Sequence, residues 1–329
     1  MAQKNLTLLS FILPIFNTGK YLPKCIESTL VQGFDENEFE VLLIFDEGTT
    51  DNSLIIAQEY ASKYSNIRLI CHSNRSIGAS LNFAFPLASG KYIEVVDTDD
   101  FLEPNKIKPL ISRMESDNLD ILRFDYQNVN ENYDIIFPNK NPKQFVNYSE
   151  NITNGIDFLT NRLGYACYVP TFIFKKSILI KPGNEMLPIA INDTEWLPRI
   201  VTQAARISSR KEVIYNYLIR EGSKMHSSNK QKQIINYKIE LIDSLINSGV
   251  LNNKSTSKWY KVVIANTVIS ILSSIARFST QDSYYYLNLI KSYNLFPLSF
   301  RHQSLRNKVR LIIIHISPIL YTHILNIIR

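Results

Sequence analysis

The stretch YIEVVDTDDFLEP, residues 92–104, carries most of the information about the fold. A β-rich apolar run over residues 92–96 ends directly in a cluster of three carboxylates, Asp97, Asp99 and Asp100. In an open α/β sheet, ligands bind outside the carboxyl ends of the strands. The stretch therefore predicts a buried strand whose end faces a functional site.

Three carboxylates within four residues repel one another unless a hard divalent cation gathers their oxygens. Mn²⁺ or Mg²⁺ at this position would also neutralise the charge that develops on a diphosphate leaving group. A structural alternative is a solvated turn, with Asp99 or Asp100 capping a helix that Pro104 opens and that runs through Met114.

Three further β-rich runs precede this stretch, at residues 6–13, 39–45 and 67–72. Segments with helical spacing separate them, and the first predicted helix begins near Asn17 and ends near Gly33. Strands that alternate with helices predict a parallel sheet. Chemistry is then expected after Leu13, Phe45 and Val96.

Two of these strand ends carry residues suited to a nucleotide. The segment FDEGTTDNS (residues 45–53) places Asp46 where its carboxylate can accept an N–H from a base, whereas Thr50 or Asp51 is a natural helix cap. In LPIFN (residues 13–17), Pro14 is expected to end the strand and Phe16 to present an aromatic face. Ordinary core packing is the alternative for Phe16.

Taken together, these segments resemble the donor-binding half of family 2 glycosyltransferases with the GT-A fold. ILPIFNTGKYLPKCIEST (12–29) is similar to the family's IPxYN and YLxxCLxS, and LLIFDEGTTDNS (42–53) to its VDDGSTDNS. ASGKYIEVVDTDDFLEPN (88–105) is similar to its GxYIxFLDSDDxxxP. The segments occur in the family's order and spacing across roughly 90 residues.

The resemblance implies an α/β GT-A fold, which is a Rossmann-like open mixed sheet flanked by helices. It also implies a donor site that binds a nucleotide sugar, with a UDP-sugar favoured. Phe16 takes the place of the tyrosine near the base, Asp46 contacts the uracil or ribose, and Pro14 and Thr98 join the same site. Asp97 and Asp99 form the metal-binding DxD motif, while Asp100 either binds metal or caps the helix.

One position departs from the family pattern. The family usually has an arginine where this chain has Leu81, within GASLN (residues 78–82). Arg75 is an alternative source of a guanidinium for the pyrophosphate, or else an exposed loop residue.

The resemblance to the family also predicts which residue is the general base. INDTEW (191–196) is similar to the family's ED segment, with Asn192 in place of the first acid, so Asp193 is the predicted general base; helix capping is the alternative. YNYLIREGSKMH (215–226) is similar to YxYRxRxGS, a loop that often covers the donor phosphates. The resemblance makes Arg220, Lys224 or His226 a diphosphate contact and His226 a third metal ligand, with an ordinary surface position as the alternative. Tyr168 and Thr171 fall in a segment similar to the family's acceptor side and are predicted to contact the acceptor.

The chain is expected to divide into a catalytic domain, residues 1–228, and an α-helical region, residues 229–329. The former comprises a nucleotide-sugar half (1–104) and an acceptor half (105–228). Near the C-terminus, basic residues flank apolar stretches too short to span a bilayer: Arg301, Arg306, Lys308 and Arg310 precede residues 311–314. This pattern favours a helix lying on an anionic membrane; docking on the catalytic domain or a homodimer partner is the alternative.

The amino-acid composition bears on the class of protein and on its location in the cell. Hydrophobic residues make up 45% of the 329, which excludes wholesale disorder, and a net charge of +6 does not argue for nucleic-acid binding. The three cysteines are too few for a disulfide framework and are expected to be buried. With neither a signal peptide nor a membrane span predicted, we expect a cytoplasmic protein, peripheral at the inner face of the cell membrane.

The sequence therefore predicts an inverting, metal-dependent glycosyltransferase that acts on a glycan or lipid-linked glycan in surface polysaccharide synthesis. One alternative is a catalytically silent subunit that binds a sugar nucleotide. Another is a nucleotidyltransferase on a similar sheet, although its glycine-rich loop after the first strand is missing here.

Overall fold

The computed structural model describes residues 7–73, 76–136, 147–165, 167–220, 231–275, 278, 280–295, 297–299, 305–317, 319 and 321. The chain forms two compact units, Met1–Glu221 and Gly222–Arg329. The domain boundary predicted after residue 228 lies in the segment 221–230, outside the described residues, and stays a prediction.

Four parallel strands open the first unit, as the sequence predicts. They are β1 (Leu9–Ile15), β2 (Phe39–Asp46), β3 (Ile67–His72) and β4 (Tyr92–Val95), in the sheet order β3-β2-β1-β4. The connecting helices are α1 (Leu22–Leu30), α2 (Ser53–Lys63) and α3 (Ile77–Leu87). Because the strands are parallel, their carboxyl ends share one edge of the sheet. Pro14 does not end β1, which continues to Ile15.

The second half of this unit extends the sheet in mixed orientation. Its strands are β5 (Phe101–Leu102), β6 (Ile121–Val129), β7 (Phe172–Lys175) and β8 (Ile207–Leu218), and the complete order is β3-β2-β1-β4-β7-β6-β8-β5. β7 is antiparallel to β4 and β6, whereas β8 is parallel to β6. The predicted fold class, an open mixed sheet flanked by helices, is confirmed.

The helices of this second half are α4 (Ile107–Ser116), α5 (Gly155–Asn161), α6 (Lys176–Leu179) and α7 (Asn192–Val201). The prediction that a helix opens at Pro104 is wrong. The Glu103 N–H donates to the Ile214 carbonyl at 2.8 Å, and Asn105 adopts a positive φ of 57°, so the backbone turns before the helix begins.

One continuous apolar core lies between the sheet and the helices α1 and α4. Alternate residues of the strands supply it, including Phe11 and Leu13 of β1, Val41 and Leu43 of β2, and Tyr92 of β4. Residues of the other parity on β2, among them Asp46, face the side of the sheet that α3 covers. This alternation places the Asp46 side chain on the face away from the core cluster. Asp46 is also the last residue of β2, so it lies at the carboxyl edge of the sheet.

The second unit is helical, as predicted. Its helices are α8 (Gln231–Asn247), α9 (Ser257–Ile275), α10 (Thr280–Ser292) and α11 (Leu305–Ile316). Within the parts of the chain that the structure describes, no helix combines the length and apolarity that a membrane span requires.

All three cysteines are free thiols, but they are not all buried. Cys25 is buried in the core, Cys167 is partly exposed and Cys71 is exposed on β3. The expectation of three buried cysteines is therefore correct for Cys25 and wrong for Cys167 and Cys71. Cys71 meets solvent because it lies on β3, the outermost strand of the sheet.

Candidate active site

The loop that follows β1 is fastened to the loop that follows β2. Asn17, which has a positive φ of 52°, accepts from the Thr50 N–H through Oδ1 at 2.8 Å. Asp51 accepts from the Gly19 N–H at 2.8 Å and from the Ser53 hydroxyl at 2.6 Å. The two loops therefore form one rigid edge, which is the edge where the sequence places the donor.

Neither Thr50 nor Asp51 is the cap of α2. Asn52 occupies the cap position and makes no capping bond with its side chain. The polar residues that look like a cap in the sequence join two loops instead. Gly19 permits this close approach, because a Cβ at that position would stand 2.1 Å from Oδ1 of Asn52.

Phe16 and Asp46 come together around Gly48. A Cβ on Gly48 would lie 3.5 Å from Cε2 of Phe16 and 3.2 Å from Oδ1 of Asp46. The Phe16 side chain is 49% exposed, so it is not an ordinary core residue. The Asp46 carboxylate is buried, and Oδ1 accepts from the Gly48 N–H at 2.8 Å. An exposed ring beside a buried carboxylate suits a flat ligand with an N–H donor.

Pro14 and Thr98 link the ends of β1 and β4. The Thr98 hydroxyl donates to the Pro14 carbonyl at 3.0 Å and lies 2.8 Å from the hydroxyl of Thr18. Thr98 is buried, so its side chain fixes the position of the acidic loop. A direct contact of Pro14 or Thr98 with a donor stays a prediction.

Asp100 is separated from the other two carboxylates by its surroundings. It is buried, and Oδ2 accepts from the hydroxyls of Tyr168 at 2.7 Å and Tyr215 at 2.9 Å. Oδ1 accepts from the Leu218 N–H at 2.7 Å. Burial, followed by the charges of Asp99 and Asp97, raises the pKa of Asp100 well above its ordinary value. Asp100 is thus an anchor that ties the acidic loop to β8.

No acid of the loop caps α4, since Lys106 holds the cap position and makes no capping bond with its side chain. Asp97 and Asp99 are only partly buried. Oδ2 of Asp97 lies 3.3 Å from the Tyr168 hydroxyl, and Oδ2 of Asp99 accepts from Nε and Nη2 of Arg220 at 2.9 and 2.8 Å. The sequence prediction that assigned Arg220 to a diphosphate and Asp99 to a metal did not anticipate that the two pair with each other.

The acidic loop offers two carboxylates to a divalent cation. Among the described residues, no group of three or more His, Cys, Asp and Glu side chains has the geometry of a metal site. Mg²⁺ is commonly held by one or two carboxylates together with water and substrate phosphates, so Asp97 and Asp99 fit such an ion. The predicted third ligand, His226, and the predicted diphosphate contacts, Arg75 and Lys224, lie outside the described residues.

Asp193 stands in the first turn of α7. Its Oδ2 accepts from the Val169 N–H at 3.4 Å. Loss of hydration raises the pKa of Asp193 to about 6, although the Val169 N–H works in the opposite direction. Ile191 is the cap of α7 and makes no side-chain capping bond, so Asn192 and Asp193 are not caps. The nearby acid Glu195 is buried and paired with Arg199 at 2.6 Å.

α3 is fastened to the segment that precedes α7. Asn82 donates to the Met186 carbonyl at 2.9 Å and accepts from the Met186 N–H at 2.8 Å. Gly78 leaves no room for a side chain, since a Cβ would lie 2.9 Å from Nδ2 of Asn192. Leu81, at the position of the family's arginine, is buried in this packing.

Thr171 does not have the role predicted for it in the acceptor-side segment, whereas acceptor contact by Tyr168 stays a prediction. Thr171 is fully buried and donates to the Tyr168 carbonyl at 2.7 Å, so it does not face an acceptor. Tyr168 holds Asp100 through its hydroxyl. No local feature of the sequence indicates this contact, because Tyr168 and Asp100 are 68 residues apart.

A scan against protein families matches the model described as "Glycosyl transferase family 2" over residues 10–181, which is more than half of the chain. The chondroitin synthase of Escherichia coli is 36% identical over 114 residues. That alignment covers 35% of this chain but only 16% of the synthase, so the chain spans far less than two thirds of this relative.

Solved structures share the fold. The complex of Staphylococcus aureus TarS 1–349 with UDP-GlcNAc is 18% identical, with a TM-score of 0.68 over 97% of this chain and 88% of that one. A mannosyltransferase from Pyrobaculum calidifontis, in complex with GDP-Man and Mn²⁺, is 10% identical with a TM-score of 0.53, over 97% of this chain and 86% of that one. At these identities the likeness concerns the fold alone.

Proposed function

The chain belongs to glycosyl transferase family 2, and from this membership we propose that it transfers a sugar, with inversion, from a UDP-sugar to a hydroxyl of a glycan or lipid-linked glycan. The observation that carries the proposal is the convergence of an exposed ring, a buried carboxylate and two partly exposed carboxylates at one sheet edge. Phe16, Asp46, Asp97 and Asp99 supply these groups.

The donor's base is proposed to lie against Phe16, with its N–H directed at Asp46. The carboxylate is held by the Gly48 N–H at one oxygen, which leaves the other oxygen to accept from the ligand. The UDP-GlcNAc in the TarS complex supports a uridine donor, and the Mn²⁺ in the mannosyltransferase complex supports a divalent cation.

A divalent cation held by Asp97 and Asp99 would supply positive charge to the leaving diphosphate. The chain's own part is to hold these carboxylates in place, which it does through the buried neighbours Thr98 and Asp100. Arg220 carries a further positive charge 2.8 Å from Asp99, within the same loop cluster.

Asp193 is the proposed general base. The acceptor hydroxyl oxygen forms a bond to the anomeric carbon while the bond from that carbon to the diphosphate oxygen breaks. Asp193 takes the hydroxyl proton, and the electron pair of the broken bond leaves with the diphosphate. With a pKa of about 6, Asp193 is largely ionised at neutral pH and still basic enough to accept the proton.

The test is UDP release from a panel of UDP-sugars by the full chain with Mn²⁺ and glycan acceptors. We expect Asp193→Asn to lower kcat by about a hundredfold or more while UDP binding is retained. Asp35 is exposed and, within the described part of the chain, forms hydrogen bonds through its backbone N–H and carbonyl and not through its carboxylate, so Asp35→Asn is the control variant with unchanged turnover. Full activity in Asp193→Asn would overturn the assignment of the base.

One observation favours a second candidate, a silent subunit that binds a sugar nucleotide without turning it over. Leu81 is buried where the family has an arginine, so it offers no guanidinium to a diphosphate. UDP binding by the wild type without release of UDP from any sugar in the panel would select this candidate.

Contact with a membrane surface is proposed for the second unit. In α11, Val309, Ile312 and Ile316 are 50%, 52% and 73% exposed, and the exposed Lys308 precedes them. An exposed apolar stripe with basic neighbours supports binding to an anionic bilayer. Flotation of the full chain with vesicles that contain phosphatidylglycerol tests this, since Ile312→Ser with Ile316→Ser is expected to reduce the bound fraction.

A further inference from the structure

His72 is a buried side chain whose ring nitrogens have no hydrogen-bond partner among the described residues. It ends β3, is only 8% exposed, and neither Nδ1 nor Nε2 makes a hydrogen bond with the described part of the chain. Leaving a buried polar group without a partner is unfavourable, and native structures rarely do so without a reason. A bound ligand that completes these hydrogen bonds is such a reason.

The position of His72 relative to Asp46 indicates which hydrogen-bonding groups that ligand must carry. The two residues are direct register partners of the parallel strands β2 and β3, and the Glu47 N–H donates to the His72 carbonyl at 3.1 Å. Paired residues of neighbouring strands extend their side chains to the same face. The imidazole and the carboxylate therefore stand side by side at the carboxyl edge of the sheet.

The ring of Phe83 on α3 packs against the His72 imidazole, with the ring centroids 5.0 Å apart. Burial lowers the pKa of His72, against the opposing effect of the Asp46 and Glu47 charges. A neutral imidazole has one N–H donor and one acceptor nitrogen, whereas an ionised carboxylate only accepts. Asp46 and His72 together thus present an acceptor next to a donor.

We propose that His72 is a specificity-determining residue that donates to a ring carbonyl of the nucleobase while Asp46 accepts the neighbouring ring N–H. This inference rests on the proposed function, because it takes the donor's base to be bound at Asp46. Uracil presents an N3–H flanked by carbonyls and matches the pair. Cytosine presents a bare N3 to the carboxylate and an amino group beside it, so it is disfavoured.

Calorimetric titration of the full chain with UDP and with CDP, each with Mn²⁺, tests the proposal. His72→Leu keeps a side chain against Phe83 but removes both ring nitrogens. We expect UDP to bind roughly tenfold more weakly to this variant, with CDP affinity changed by no more than about twofold. His72→Asn retains an N–H donor and is expected to recover part of the UDP affinity.

Cys71→Ser is the matched control. Cys71 precedes His72 on the same strand, points to the opposite face and is exposed, so its replacement should leave UDP affinity unchanged. An equal loss of UDP and CDP affinity in His72→Leu would show a purely structural role and overturn the proposal. Unchanged UDP affinity in that variant would overturn it as well.

Two further comparisons distinguish a failure of the role of His72 from a failure of the proposed UDP donor. If the wild type binds UDP and Asp46→Asn does not, while the His72 variants bind as the wild type does, only the role of His72 fails. If the wild type binds no UDP, the proposed donor fails, and the role of His72 fails with it. Where a variant does not fold, the ¹⁵N chemical shifts of the His72 ring in the wild type test the proposal instead. We expect UDP to change these shifts and CDP to leave them unchanged.

Discussion

The guanidinium of Arg220 donates to a single oxygen of Asp99, from Nε at 2.9 Å and from Nη2 at 2.8 Å. Both residues were predicted to contact the donor or its metal, and both side chains are only partly exposed. A cation that binds Asp99 must therefore share that carboxylate with Arg220 or displace it. The pair makes metal affinity sensitive to Arg220.

We predict that Arg220→Gln binds Mn²⁺ about fivefold more tightly than the wild type when no nucleotide is present. The reason is that a partly exposed ion pair contributes on the order of 1 kcal/mol, which the metal no longer has to overcome. Electron paramagnetic resonance of free Mn²⁺ measures the affinity. Arg220→Lys keeps the charge and serves as the control, and equal affinities in all three proteins would contradict the prediction.

Asp100 is predicted to matter for stability much more than Asp99 does. Asp100→Ala leaves the Tyr215 hydroxyl and the Leu218 N–H buried without their acceptor, and the Tyr168 hydroxyl keeps only its longer contact with Asp97. We expect it to lower the free energy of unfolding by about 3 kcal/mol, against less than about 1 kcal/mol for Asp99→Ala. Urea denaturation of the full chain compares them. Similar losses in the two variants would show that Asp100 is not an anchor.

Glu94 is predicted to make stability depend on pH. It is fully buried on β4, neither carboxylate oxygen has a partner among the described residues, and burial raises its pKa well above the ordinary value of 4.5. The folded protein thus keeps a proton that the unfolded chain releases. This contribution is complete below about pH 4.5 and is lost as the pH rises toward the folded pKa, by up to about 1.4 kcal/mol per pH unit.

Glu94→Gln removes this titration, so its stability relative to the wild type should increase as the pH rises from 5 toward the folded pKa of Glu94. Urea denaturation at several pH values from pH 5 to pH 8 measures the difference. Glu36→Gln, at an exposed position, is the control and should follow the wild type throughout. A difference that stays constant with pH would contradict the prediction.

Asp193 is predicted to set the acidic limb of the pH-rate profile. Its protonated form cannot accept the acceptor's proton, and its pKa is about 6. We expect kcat/KM for sugar transfer to fall tenfold per pH unit below about pH 6 and to level off above it. Initial rates of UDP release between pH 4.5 and pH 8 measure this. A profile that remains flat through pH 6 would exclude Asp193 as the base.

Much of the donor half could be predicted from the sequence, because its parallel strands are nearly continuous apolar runs. β8 could not, since its first residues include Ser208 and Ser209, which are buried. Ser208 donates to the Glu150 carbonyl at 2.9 Å, and Ser209 accepts from the Ser149 N–H at 3.0 Å. These partners lie about 60 residues away and are not apparent from local periodicity.

β6 was missed for a similar reason. Arg123 and Asp125 are buried in the strand, where Arg123 donates to the Leu163 carbonyl at 2.7 Å and Asp125 accepts from the Tyr148 hydroxyl at 2.7 Å. In the sequence these charged residues suggest exposure. Only the assembled fold supplies the partners that make their burial tolerable.

The acidic loop shows the same limit within the site. The order of Asp97, Asp99 and Asp100 predicts a cluster, but not which acid is an anchor. That distinction depends on Tyr168, in the segment before β7, and on Tyr215 of β8, which both donate to Asp100. Likewise, the exposure of Phe16 and the isolation of His72 follow from the sheet edge and not from any local motif.

We propose that a metal-assisted uridine diphosphate site lies at the ends of β1, β2 and β4. A thermal-shift titration of the full chain with UDP tests this site most directly. We expect a rise in melting temperature that requires Mn²⁺ and disappears in Asp97→Ala, because a ligand that binds only the folded state stabilises it. No rise with UDP and Mn²⁺, or an equal rise in Asp97→Ala, would contradict it.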